Sequence, residues 1–237
     1  MVKYSYDAFW KAFFFSTIVF ILGLNLGVFV ESSNLNEIER AVISSEVELY
    51  DSNIRSSIIQ DYPVSCEKSI DNTFKLADKI YEEVILLENL DESSALVEGF
   101  FEMHKRYDLL RLQLWLDSSR IKTYCENEFN LIIYLYEYDS DDPEKLSLQN
   151  LYASITGDLK SNYRENVLLI PIAYNMDLNS LDIILENYNL ENQTALIIND
   201  KYVITDAITY DEVIQYINWF PLIRIQQRLH NLLIYQN

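Results

Sequence analysis

The chain is poor in the residues that carry much of protein chemistry. Its 237 residues include two cysteines, two histidines, four glycines and four prolines. With two histidines so far apart, and no cysteine near His230, a zinc site is not expected. His104 falls on an apolar helical stripe, which points to a packed core side chain. No glycine-rich phosphate loop, metal pair or Ser/His/Asp arrangement is present, and no cofactor is expected. The scarcity of glycine and proline, with 49% hydrophobic residues, excludes disorder and low complexity. Basic residues are also scarce: 18 Lys and Arg stand against 37 Asp and Glu, a net charge of -19. Phosphate backbones repel such a surface, so nucleic acid is not an expected partner.

What the chain does have is one long apolar run. Residues from Ala12 to Val30, AFFFSTIVFILGLNLGVFV, are uncharged. At 1.5 Å per residue the run is about 28 Å long, close to the hydrocarbon thickness of a bilayer. Lys3 and Lys11 precede it, and Glu31, Glu37 and Glu39 follow. The positive-inside bias then places the N-terminus in the cytoplasm and the bulk of the chain outside. A cleaved signal peptide is the competing reading. Its apolar core is shorter and ends at a small-x-small site, whereas this run ends Phe29-Val30-Glu31, which favours an uncleaved signal-anchor at residues 1–31. Gly23 and Gly27 form a GxxxG spacing through which two anchors could dimerise.

Residues 32–127 read as helical. Ile70, Phe74, Ala77, Ile80, Val84 and Leu87 recur at three- and four-residue steps, as do Val97, Phe101, His104, Leu110 and Leu114. Asp61-Tyr62-Pro63 ends an earlier helix. Asp91-Glu92-Ser93-Ser94 breaks the next two apart, with Ser94 able to cap the second. The result is a helical hairpin, and Cys66 and Cys125 flank it. Outside the cytoplasm such a pair is expected to be oxidised. Neither has the CxxC setting of a reactive dithiol.

Residues 128–237 alternate strand and helix patterns. Leu131–Tyr136 and Val167–Ala173 read as buried strands. Leu148, Leu151, Tyr152, Ile155 and Leu159 mark a helix between them, and Leu181, Ile184, Leu185 and Tyr188 mark a second. Ala195–Ile198 and Tyr202–Ile204 flank the turn Asn199-Asp200-Lys201 as a hairpin. Thr209-Tyr210-Asp211-Glu212 is a capping-box pattern opening a last helix. The order βαβα-ββα resembles the thioredoxin fold, in particular the membrane-anchored thioredoxin-like proteins of archaea. The resemblance covers about 90 residues and is strongest from Asn166 to Ile217.

That resemblance implies an α/β fold without the family's chemistry. Redox-active members carry Cys-Pro-x-Cys after the first strand. Asp142, Pro143, Glu144 and Lys145 stand there instead. They also carry a cis-proline before the third strand, where this chain has Gln193. A cis bond before a non-proline residue costs about 2.5–4 kcal/mol, so the bond before Gln193 is expected to be trans. Thiol–disulfide exchange needs a thiolate, and these positions supply none. The expected function is a non-catalytic, extracytoplasmic scaffold or protein-binding module with an unidentified protein partner. The alternative is an oxidoreductase that cycles Cys66 and Cys125. Asp139, Asp141, Asp142 and Glu144 cluster in one loop without the glycine and spaced glutamate of a calcium-binding EF-hand. Asn192-Gln193-Thr194 is an N-glycosylation sequon at the start of a strand. Past Pro221, Leu222, Ile225, Leu229, Leu232 and Leu233 form an amphipathic pattern with Arg224 and Arg228.

Overall fold

The computed structural model describes residues 6–91, 97–126, 129–164 and 166–217. Ser94 and the stretch beyond Pro221, with His230, lie outside them. The chain divides into two units, 1–44 and 45–237.

Helix α1 (Tyr6–Asp61) supplies the first unit and the opening of the second. Phe9–Gly27 within it is long and apolar enough to cross a membrane, and all of these side chains are exposed. This window begins three residues before the run read from sequence and takes in Lys11. Asn25 Nδ2 donates to Ile21 C=O at 2.7 Å. A Cβ added at Gly23 or Gly27 would meet nothing within 4 Å.

In the second unit, α1 stops at Asp61, ahead of Pro63, whose ring disfavours helix in the residue before it. Helices α2 (Cys66–Asp91) and α3 (Val97–Tyr124) form the hairpin. Ser52 donates to the buried Asp117 carboxylate at 3.1 Å, and Lys79 pairs with Glu48. These links tie the last turns of α1 to the hairpin. Thr73, Leu76, Ile80 and Val84 are buried, whereas Ile70, Phe74 and Ala77 are only half-buried. The apolar stripe of α2 is therefore wider than the face it packs.

Four strands follow: β1 (Asn130–Tyr136), β2 (Val167–Ala173), β3 (Ala195–Ile198) and β4 (Tyr202–Ile204). Helix α4 (Pro143–Asn162) connects β1 to β2, α5 (Asn179–Glu186) lies between β2 and β3, and α6 (Tyr210–Ile214) follows β4. The sheet order is β2-β1-β3-β4. β1 and β2 are parallel, while β3 runs antiparallel to both β1 and β4. A four-stranded mixed sheet with helices is thus the fold class.

The period of two divides the sheet residues between faces. Ile132, Tyr134, Leu196 and Ile198 join Tyr152, Ile155 and Leu159 of α4 and Val213 of α6 in one core. Leu131, Ile133 and Leu135 alternate with them, equally buried. The hairpin helices contact β1 and β2, so helical region and sheet share one unit. Trp115 fastens them further: its Nε1 donates to Asp200 Oδ1 at 2.9 Å and its ring packs 5.7 Å from Tyr188. Asp200 can be reached because Asn199 and Asp200 both take φ of 57°, as a type I′ turn requires. Thr209 and Glu212 form the reciprocal capping box of α6.

Candidate functional site

The carboxyl end of β1 meets the first turn of α4 and the loop before β3. Asp142, Pro143, Glu144 and Lys145 stand here, in the first turn of α4 and just before it. Asp142 is the N-cap of α4, with Pro143 opening the helix. Its Oδ1 accepts from Glu144 N at 2.9 Å and Lys145 N at 3.5 Å. A carboxylate there satisfies two donors that a helix start leaves open and faces the positive end of the helix dipole. Asp139, Asp141, Asp142 and Glu144 are all exposed. Among the described residues no acidic or histidine group is arranged to hold a metal ion.

Lys145 turns back along the strand, and its Nζ lies 2.9 Å from Glu137 Oε2. Ser140 Oγ donates to the same oxygen at 2.7 Å. The hydrogen bonds from Lys145 and Ser140 hold the Glu137 carboxyl below the usual carboxylate range. The bond to Glu137 raises Lys145 in turn. Its ammonium is therefore held protonated, and a protonated amine has no lone pair with which to attack. Tyr174 sits beside this pair with its hydroxyl buried and without a well-formed hydrogen bond. Burial raises its pKa, and the Glu137 charge adds to the effect.

From α4, Gln149 Nε2 donates across to Thr194 Oγ1 and to Glu137 C=O, each at 3.4 Å. Thr194 is buried, while Asn192 and Gln193 are exposed. There is no cis peptide among the described residues, so the bond before Gln193 is trans. Asn192 has φ of 48° and belongs to the loop ahead of β3 rather than to the strand. The sequon asparagine is thus accessible and its threonine is not.

The two cysteines lie apart from this tip. Cys66 is the first residue of α2, and Cys125 follows the last residue of α3. They form a disulfide with Cα atoms 5.6 Å apart. The hairpin returns the chain to its start, which explains how a separation of 59 positions closes. Cys125 is buried and Cys66 half-buried, so the bond is poorly placed to meet a partner's thiolate. His104 is buried too, its ring 4.5 Å from that of Tyr138.

Sequence reasoning did not single out one buried charge pair. Arg111 Nη1 lies 2.9 Å from Asp108 Oδ1, and both side chains are buried. Asp108 Oδ2 also accepts from Ala173 N at 3.3 Å. Burial pushes the Asp108 carboxyl up to about 6 against the pull of Arg111. Burial works against the Arg111 charge as well, but Tyr136 and Asp108 outweigh it and keep the guanidinium protonated. The i, i+3 spacing of Asp108 and Arg111 was visible in the sequence. Its burial was not, because such pairs are ordinarily solvated.

Compared with known protein families, with curated proteins and with solved structures, the chain matches none.

Proposed function

We propose that this chain is a membrane-anchored, extracytoplasmic, non-catalytic thioredoxin-like protein that binds another protein. The observation that carries this reading is the state of the tip of α4. Where redox members of the resembling family hold two thiols and a cis-proline, this chain holds a helix cap, a lysine–glutamate pair and a trans bond before Gln193. The cap and the ion pair are engaged in keeping the local fold, and Gln193 is exposed. The β2-β1-β3-β4 order, with β3 reversed, supports the thioredoxin-like architecture. The apolar span Phe9–Gly27 and the disulfide support an anchor facing an oxidising compartment. The half-buried disulfide gives the oxidoreductase alternative no supporting geometry.

The test has two arms. The purified chain is assayed for insulin reduction, with and without Cys66→Ser, and both forms are expected to be inert. Turnover abolished by Cys66→Ser would replace the binding reading with the oxidoreductase one. Protease added to intact cells is expected to digest the residues after the anchor. Protection of that portion would reverse the orientation.

A further inference from the structure

We propose that the cleft between α2, α4 and β2 receives an extended segment of the partner polypeptide, one that carries an apolar side chain flanked by carboxylates. This inference rests on the protein-binding reading above and assigns that reading a face and a chemistry.

The cleft has a volume of about 1260 Å³. Ile70, Phe74 and Ala77 of α2, Leu114 of α3, and Leu169 and Pro171 of β2 form its apolar lining. The first three are the residues that the hairpin leaves half-buried. A helix stripe wider than its packed face is apolar surface still available to bury.

β2 is an edge strand, and its outer edge can be followed residue by residue. Tyr174 N donates to Tyr136 C=O, and Asn130 N donates to Asn166 C=O. In a parallel ladder alternate residues face the same neighbour. The even-numbered residues of β2 therefore turn their backbone toward β1, and Val167, Leu169, Pro171 and Ala173 turn theirs outward. Three of those four positions offer no free donor. Val167 N donates to Tyr163 C=O at 3.0 Å, Pro171 has no N–H, and Ala173 N donates to Asp108. Among the described residues, the Leu169 N–H is the outward donor left without a partner, and Leu169 lines the cleft. A donor set in an apolar lining suits a peptide carbonyl. A hydrocarbon chain would leave it unmet.

The rim supplies the charge preference. Asp71 is paired with Lys75, and Asp78 with Lys160, whose ammonium also lies 5.5 Å from the centroid of the Phe74 ring. Arg111 is neutralised by Asp108. That leaves Glu67 against Lys68 and Arg164, both exposed and free of salt bridges among the described residues. An excess of cation in a chain of net charge -19 is a local inversion, and it complements carboxylates on the incoming segment.

The fourth wall provides the means of testing. Gly157 of α4 lines the cleft, and a Cβ built on it would meet nothing within 4 Å. Gly157→Leu therefore pushes a side chain into the cleft from a helix position that accepts one. The full chain is reconstituted in phosphatidylcholine nanodiscs and used to select from a display library of random nonapeptides. Enrichment of sequences with an apolar residue between Asp or Glu is expected. Their affinity should fall at least tenfold with Lys68→Glu/Arg164→Glu and at least tenfold with Gly157→Leu. Asp142→Ala, at the far end of α4, should leave it unchanged. Helix content and the disulfide are checked in each variant, and the charge-reversal pair alters only exposed side chains. No enrichment, enrichment of basic peptides, or affinities indifferent to both cleft variants would overturn the proposal. So would binding of dodecanoate in place of peptide, which would assign the cleft to an anionic lipid. Photocrosslinking in cells separates the two levels. A crosslinked protein that ignores the cleft variants sinks the proposal alone, whereas absence of any protein crosslink sinks the binding reading beneath it.

Discussion

The two ends of α4 behave oppositely. At its first turn Asp142 caps the helix, Lys145 is paired with Glu137, and Gln149 reaches Thr194. Apart from the buried Tyr174 hydroxyl, the polar side chains there satisfy one another. Near its last turns Gly157 opens onto the cleft, and Arg164 follows free of salt bridges among the described residues. The start of α4 is closed by capping and ion pairing. The other end faces half-buried apolar surface and an unmet backbone donor.

The largest expected effect tests what holds the cleft wall in place. The disulfide anchors the first residue of α2 to the end of α3. Closing a loop of this length contributes on the order of 4 kcal/mol. Cys66→Ser/Cys125→Ser should lower the chemical-denaturation midpoint accordingly, and hydrogen exchange should quicken first in α2. Exchange at the start of α4 should change little. Loss of protection at that tip to the same degree would show that the two ends are not independent.

Next in size is the buried pair. Arg111→Met leaves Asp108 without its counter-charge, at a cost of about 3 kcal/mol near neutral pH. The sign with pH follows from the direction of the shift. The Asp108 carboxyl binds its proton more tightly in the fold than in the unfolded chain, so its contribution is largest below 3.8 and is lost as the pH rises through about 6. Removing Arg111 raises that carboxyl further. The deficit of the variant should therefore be smaller at pH 5 than at pH 8 in urea titrations. A deficit that grows toward acid would mean that the carboxylate is not what suffers.

At the closed end of α4, Asp142→Ala removes a side-chain cap and should cost about 1 kcal/mol. Lys145→Met leaves Glu137 without its partner and should cost less, since water screens an exposed ion pair. Thermal melts of the two variants would rank them. A larger loss for Lys145→Met would show that the ion pair, not the cap, fixes this turn.

Much of this architecture was legible because local signals agree with the tertiary outcome. Pro63 ends α1, the 209–212 capping box opens α6, and the continuous apolar runs become β1 to β3 at nearly the same residues, with β4 closing the hairpin. The disulfide was legible because two lone cysteines flank a hairpin. The cleft was not. Its residues come from α2, α3, α4 and β2, and periodicity identifies Phe74 and Ala77 as apolar without saying which apolar positions find a partner. The edge of β2 was hidden for a similar reason: strand order decides which N–H groups turn outward, and spacing along the chain does not reveal it. A signal that was present and unread is Gly157, an isolated glycine inside a helical pattern.

That glycine gives the smallest expected effect. In a helix interior glycine is disfavoured relative to alanine by roughly 0.5–1 kcal/mol, because the unfolded chain has more freedom to lose. Such a residue is kept without cost to the fold only where a side chain would collide. At Gly157 a Cβ meets nothing within 4 Å, so packing within the unit does not demand it. Gly157→Ala should accordingly stabilise the chain by something near that amount, read as a small rise in melting temperature with helix content unchanged. Peptides selected on the cleft should still bind this variant, since one methyl leaves most of the volume open, and should be lost with leucine. A destabilised alanine variant would mean that the α4 wall stands closer to its neighbours than 4 Å in solution. The opposition between a closed and an open end of α4 would then fail at the open end.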